Sequence, residues 1–205
     1  MTAVQTKRRT RLSPEARRTQ ILDDAARVVL SEGLSAVNME RLGREAGISK
    51  ALVYNYFPSR DALLAALLHR EQTELRDRGL QKALQASSYA DLIRHTTRVY
   101  LEQTKDRGTL IAALLADPSV AKLMEEENRV ERDRTFRYFV RETRREYGLS
   151  LPHGIAAVDM LMAVTDQGGK LMVQGVVDID TAEDMCVQLI LGGLARLAET
   201  YAQRD

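Results

Sequence analysis

The segment NMERLGREAGISKALVYNYFPS, Asn38 to Ser59, restricts the fold more than any other part of the chain. Asn38, Ser49 and Ser59 are each a side chain that accepts a hydrogen bond from the backbone N–H groups opening a helix. Gly47 supplies a turn that needs positive φ, which a residue without Cβ adopts at no steric cost. Pro58 cannot continue a helix. The pattern predicts a short helix from Asn38 through Glu45 with Leu42 and Ala46 facing inward. It predicts a second over about Lys50 to Tyr56, and the start of a third after Ser59. Two short helices about a glycine turn, preceded by a longer one, form a helix-turn-helix.

That longer helix is announced by Ser13 as cap, Pro14 at the first helical position and Glu15 at the positive helix end. Ile21, Leu22, Ala25, Ala26, Val29 and Leu30 recur at helical spacing, and Gly33 is the expected stop. After Ser59 the run RDALLAALLHREQTELRDRGLQKAL becomes charged past Leu68, as a linking helix would. Beyond Ser88 helices are expected near 89–104, 107–116, 118–147, 153–175 and 181–203, broken by Pro118, Gly148/Pro152 and VVDIDT. The last opens with a capping-box pattern, Thr181 to Asp184.

Charge and composition exclude several classes. Residues 1–60 hold 11 Lys/Arg against 6 Asp/Glu, and the rest 19 against 23, so the basic end is the one suited to a polyanion. The single Cys186 allows no intrachain disulfide, fits a reducing compartment and falls on an apolar helical face as an inert thiol. No run is long enough to span a membrane, and the first residues have no apolar signal-peptide core, so the expectation is a cytoplasmic protein. His69, His95 and His153 share no metal-ligand spacing, and the paired glycines Gly168-Gly169 and Gly192-Gly193 lie inside helical patterns, not in phosphate loops. No enzyme activity, cofactor or metal is expected.

The helix at 49–57 carries the chemistry. With Val53 and Phe57 on its core face, Ala51, Leu52 and Asn55 look outward, flanked by Lys50 and Tyr54 on one side and Tyr56 on the other. Small and amide side chains in the centre suit base edges in a major groove, where an Asn bonds two adenine atoms. Lysine and phenol groups at the margins reach phosphates. The bland alternative is that the tyrosines seal a small core.

This stretch resembles the TetR family of transcriptional regulators. The family's pattern stands here as Gly47, Ile48, Ser49, Val53, Tyr54, Tyr56, Phe57, Ser59, Arg60, Asp61 and Leu63, and the likeness extends over about residues 14–68. Asn38 replaces a common Thr and keeps the capping role. Gly43 replaces a common Ala, at about 1 kcal/mol of helix propensity, which would loosen that helix slightly. The resemblance implies an all-α chain: a basic flexible arm at 1–12, a three-helix helix-turn-helix domain at 13–58, and a long helix leading into a helical ligand-binding and dimerisation domain at 59–205. It implies a homodimer that binds a palindromic operator in double-stranded DNA, represses, and is released by a small-molecule effector. DNA contacts carry over to Asn38, Ser49, Lys50, Ala51, Leu52, Tyr54, Asn55, Tyr56 and Arg60. Arg8, Arg9 and Arg11 either enter a minor groove or form a solubilising tail.

In the acidic remainder, Leu189, Gly192, Gly193 and Leu197 fall near one stripe and are assigned to a dimer interface, in a four-helix bundle built from two helices per subunit. Tyr100, Met124, Phe136, Tyr138, Phe139, Met162 and Asp166 are the candidate pocket walls, suited to an apolar or aromatic effector. Arg94, His95 and Arg98 read as a solvated face. The competing function is a ligand-free helical module for protein contacts.

Overall fold

Helix caps set where each element begins. In the computed structural model, which describes residues 12–202 and the backbone alone of 126–128, eight α-helices and one 3-10 turn are present among the described residues. The chain divides into two compact units, Met1–Leu67 and Leu68–Asp205.

The first unit contains α1 (Pro14–Glu32), a 3-10 turn (Leu34–Ala36), α2 (Met39–Glu45), α3 (Lys50–Tyr56) and the opening of α4 (Arg60–Leu84). Ser13 Oγ accepts from Ala16 N at 3.1 Å, Asn38 Oδ1 from Arg41 N at 2.9 Å, Ser49 Oγ from Leu52 N at 3.1 Å and Ser59 Oγ from Ala62 N at 3.0 Å. Each such cap contributes about 1 kcal/mol. Gly47 turns the chain between α2 and α3 at φ 63°. Ile21, Leu22, Ala25, Leu42, Val53 and Phe57 are buried together with Leu63, Leu64 and Leu67. Those leucines of α4 carry the first unit past residue 58, where the sequence pattern had placed its end. Leu30 was expected inside but is 46% exposed, and Val28 is buried in its stead.

Gly43 has a role its propensity conceals. A Cβ there would lie 3.0 Å from Ile48 O, 3.2 Å from Lys50 N and 3.3 Å from Ser49 C, all backbone of the turn into α3. Gly43 O also accepts from Ile48 N at 2.8 Å. Its absent side chain lets α2 and the turn touch, so it tightens the motif where looseness was expected.

Asp24 is 5% exposed on α1, beside Arg27, and its Oδ2 has no hydrogen-bond partner. Burial pushes its carboxyl above the usual carboxylate range, against the opposing pull of Arg27. The folded state therefore holds this proton more tightly than the unfolded chain, so stability falls as pH rises from the ordinary carboxylate pKa through the raised one. Asp24→Asn is expected to raise the melting temperature at neutral pH. The advantage over wild type should shrink on acidification through that window, read by thermal melts across pH.

The second unit holds the rest of α4 with α5 (Tyr89–Leu115), α6 (Pro118–Tyr147), α7 (Leu151–Val173) and α8 (Ile179–Tyr201). Its core joins Ile93, Leu149, Ala157, Val187, Ile190 and Leu194. Three boundaries differ from the periodicity reading, one of them at α7, which starts at Leu151 behind the Ser150 cap with Pro152 in its first turn. α5 runs unbroken through Gly108, since one glycine costs only about 1 kcal/mol in a helix otherwise anchored by packing. α8 starts earlier, because Asp178 Oδ1 accepts from Thr181 N at 2.7 Å and places Thr181 inside the helix. Among the described residues, no helix is long and apolar enough to cross a membrane.

Candidate nucleic-acid interface and cavity

α3 is too short to hold itself by backbone bonds alone, and its position is fixed from beneath and from both ends. Val53 and Phe57 are 0% and 2% exposed and anchor one face. Arg18 of α1 lies over the Phe57 ring, 4.9 Å from its centroid. Arg17 and Gln20 donate to Ala46 O at 3.3 and 3.4 Å, tying α1 to the turn that precedes α3. The opposite face is left to solvent. Lys50, Ala51, Tyr54 and Asn55 are exposed, and Leu52 and Tyr56 half-buried. Tyr54 is 44% exposed, which a ring sealing a core would not be. Ser49 and Asn38 cap with an oxygen and keep a donor, the hydroxyl proton and the amide N–H groups respectively.

Arg60 is where the structure departs from the expected contact set. Its Nε donates to Val37 O at 3.1 Å and its Nη2 to Leu34 O at 2.9 Å, with Asp61 Oδ1 3.3 Å from Nη1. The guanidinium clamps the loop before α2, so two of its donors are committed to backbone carbonyls of the fold. Arg8, Arg9 and Arg11 lie outside the described residues. The pattern overlooked Arg44. Arg27 pairs with Asp24 and Glu45, and Arg41 with Glu32 and Glu45, so their charge is locally offset. Arg44 and Lys50 flank the turn exposed and in no ion pair among the described residues. No signal in the sequence marked it, since Glu40 stands four residues before Arg44, at the spacing of a helical ion pair.

In the second unit, α4 to α8 enclose a cavity of about 650 Å³, a size at which small-molecule sites are common. Tyr100, Tyr138, Phe139, Met162 and Asp166 lie on its wall, whereas Met124 and Phe136 do not. The α6 residues facing it are Glu131, Arg132, Arg134, Thr135, Tyr138, Phe139 and Thr143. That helical stripe leaves position 136 just beyond its edge, and Met124 is 4% exposed further up the helix. The α4 stripe Gln72, Leu75, Arg76, Gly79, Leu80, Ala83 was missed, although its 3–4 residue spacing is legible. Burial pushes the Tyr89 and Tyr100 phenols each up to about 12, in Tyr100 with help from the Asp166 carboxylate that accepts its proton's hydrogen bond.

Arg94 and Arg98 stand on a solvated face, 45% and 36% exposed, with their guanidiniums engaged by carboxylates. They pair across to α8, Arg94 with Glu183 at 3.4 Å and Arg98 with Asp180 at 2.5 Å and Glu183 at 3.1 Å. His95 Nδ1 lies 3.2 Å from Lys82 O. Of the four α8 residues assigned to an interface, Leu189 is 58% exposed and Gly192 faces open space. Gly193 looks toward Leu161 Cδ2 of α7, 3.8 Å from where a Cβ would stand, and Leu197 packs on the subunit's own core.

A three-helix motif with its middle turn on glycine and its last helix turned outward defines a helix-turn-helix protein. Residues 21–67 match the model of the bacterial regulatory proteins of the tetR family. The HTH-type transcriptional regulator BetI of Rhizobium meliloti is 32% identical over 114 residues, covering 56% of this chain and 56% of that protein. The HTH-type transcriptional activator FasR of Mycolicibacterium smegmatis is 24% identical over 95% of this chain and 90% of its own. A crystal structure of a putative transcriptional regulator from Pseudomonas aeruginosa superposes with a TM-score of 0.76 over 97% of this chain and 100% of that one, at 16% identity. Residues 21–67 are thus similar to the TetR family of bacterial regulatory proteins, and the chain as a whole shares the fold of the solved structure. The chain spans about half the length, 50% to 56%, of the first curated relatives it matches.

Proposed function

We propose that the chain acts in the cytoplasm as a homodimeric repressor that binds a palindromic operator through α3 and releases it when a small, mainly apolar effector enters the cavity of the second unit. The observation that carries this reading is the outward face of α3, with Lys50, Tyr54 and Asn55 presented while Val53 and Phe57 hold the helix down. Asn55 reads a base edge, and Lys50, Tyr54, Tyr56 and Arg44 hold phosphates. Ser49 and Asn38 donate to the backbone from helix starts. A second copy covers the apolar side of α7 and α8, where Met160 is 61%, Met185 50% and Leu189 58% exposed and Gly192 allows close approach. The effector acts by its difference in affinity between operator-competent and incompetent shapes. α4 is the lever, because it begins inside the helix-turn-helix unit and its later turns wall the cavity.

Sequencing genomic duplexes retained by the purified protein identifies the operator. Affinity for it should fall linearly with the logarithm of salt concentration. Lys50→Ala removes one phosphate contact from each half of the dimer, so it should reduce that slope by about 1.8 and weaken all duplexes alike. Asn55→Ala should cost about 1–3 kcal/mol in each half-site of the operator and little on unrelated DNA. Binding that ignores salt and survives Tyr54→Ala favours the protein-contact module. FasR, named an activator, supports a second reading of the regulatory sign, and reporter expression with and without the chain decides it.

A further inference from the structure

The cavity has two unlike ends, and α5 measures the distance between them. At one end the Tyr89 hydroxyl and Thr143 Oγ1 are 2.7 Å apart, satisfying each other among the buried Ile93, Val158 and Ile190. At the other, Tyr100 donates to Asp166 Oδ1 at 2.7 Å, and Arg76 Nε stands 3.5 Å from Glu131. Tyr89 and Tyr100 are three helical turns apart on α5, roughly 16 Å at 1.5 Å per residue. A molecule filling the space has an apolar body toward Tyr89 and a polar head toward Tyr100.

The polar groups decide the head. Thr96 spends its hydroxyl proton on Leu92 O at 2.8 Å. Thr97, 4% exposed, also lies on the cavity wall. Arg76 is engaged by Glu131 and by Thr73 Oγ1 at 2.8 Å. Arg132 and Arg134 are exposed, and long cationic side chains line an apolar space with their stems while the head stays in water. Asp166 lines the cavity while open to solvent; its one methylene keeps it short, and the Tyr100 hydroxyl holds one oxygen and leaves the other as an acceptor. An ionised carboxylate only accepts.

Given the effector-site reading of this cavity, we infer that it takes a mainly apolar molecule whose head donates a hydrogen bond to Asp166, a phenol or a protonated amine, and that carboxylate-headed compounds are rejected.

Four probes sharing one body test this by calorimetric titration of the full chain: biphenyl, para-phenylphenol, biphenylmethylamine and biphenyl carboxylate. The phenol and the amine should each bind at least about tenfold tighter than the carboxylate, the scale of one hydrogen bond to a charged group. Asp166→Asn, still an acceptor, should keep the phenol and lose the amine's advantage. Asp166→Leu should remove both preferences, with folding checked by circular dichroism. A carboxylate that binds as well as the phenol, or a ranking untouched by Asp166→Leu, overturns the donor-head assignment while leaving the cavity as a binding site. If no probe binds the folded protein, the effector-site reading falls, and this inference with it.

Discussion

Arg60→Ala should destabilise the helix-turn-helix unit by up to about 3–6 kcal/mol, because charge-assisted hydrogen bonds contribute about 1.5–3 kcal/mol each and two carbonyls lose their donor. Leu34 O and Val37 O sit on the loop that delivers Asn38 to the start of α2, and Val37 is 1% exposed. Removing the guanidinium frees that loop, the cap and then the angle at which α2 meets the turn. Loss of DNA binding in this variant would follow loss of folding, and a melt of the unit separates the two. Lys50→Ala is the control. Lys50 is exposed, so its removal should leave the melt unchanged while affinity drops. Arg60→Lys should not rescue, since an ammonium cannot span two carbonyls with a planar fork. If Arg60→Ala melts like wild type yet loses affinity, the residue is a phosphate contact after all.

The case of Arg60 marks the boundary of what a sequence pattern can show. α3 was legible because its determinants are adjacent in the chain: Gly47 for the turn, Ser49 for the cap, Val53 and Phe57 one turn apart for the buried face. The same holds for α1, α2 and the start of α4, whose caps lie within three residues of the N–H groups they serve. Arg60 bonds carbonyls 23 and 26 residues upstream, and nothing in its neighbourhood distinguishes it from an exposed arginine. Gly43 is similar. Its local preference argued for looseness, while contact with the turn backbone makes its small size useful. At α8 several good caps competed, and Asp178 prevailed over Thr181 because the chain enters the helix from the turn at Gly175. The cavity wall was half legible. Aromatic residues on α5 to α7 drew attention by type, but Thr97, Thr135 and the α4 stripe are ordinary until packing gathers them around one space. The face of α8 was also ambiguous, since adjacent glycines point about 100° apart: Gly192 looks to solvent and Gly193 to α7.

The tightest approach in the second unit gives the other large effect. A Cβ on Gly168 of α7 would stand 2.4 Å from Cys186 Sγ of α8. Cys186 is 3% exposed, its thiol pushed up by burial, with Sγ 3.6 Å from Val164 O. The cysteine's value here is its shape, a single sulfur filling the notch a missing side chain leaves. Gly168→Ala gains about 1 kcal/mol of helix propensity but must move one helix or force the thiol off its rotamer, so a net loss of about 1–3 kcal/mol is expected. Cys186→Ala alone opens a small void and should cost about 1 kcal/mol. The two together should cost less than their sum, because the new methyl occupies the space the sulfur leaves. A chemical-denaturation cycle of the four proteins measures this coupling. Additive losses would mean that the helices part freely at this point and that the notch does not set the spacing of α7 and α8. A favourable coupling with unchanged dimerisation would locate the effect inside the subunit. A favourable coupling with weakened dimerisation would mean that this internal contact sets the outward faces of Met160, Met185 and Leu189 against which a second copy is proposed to pack.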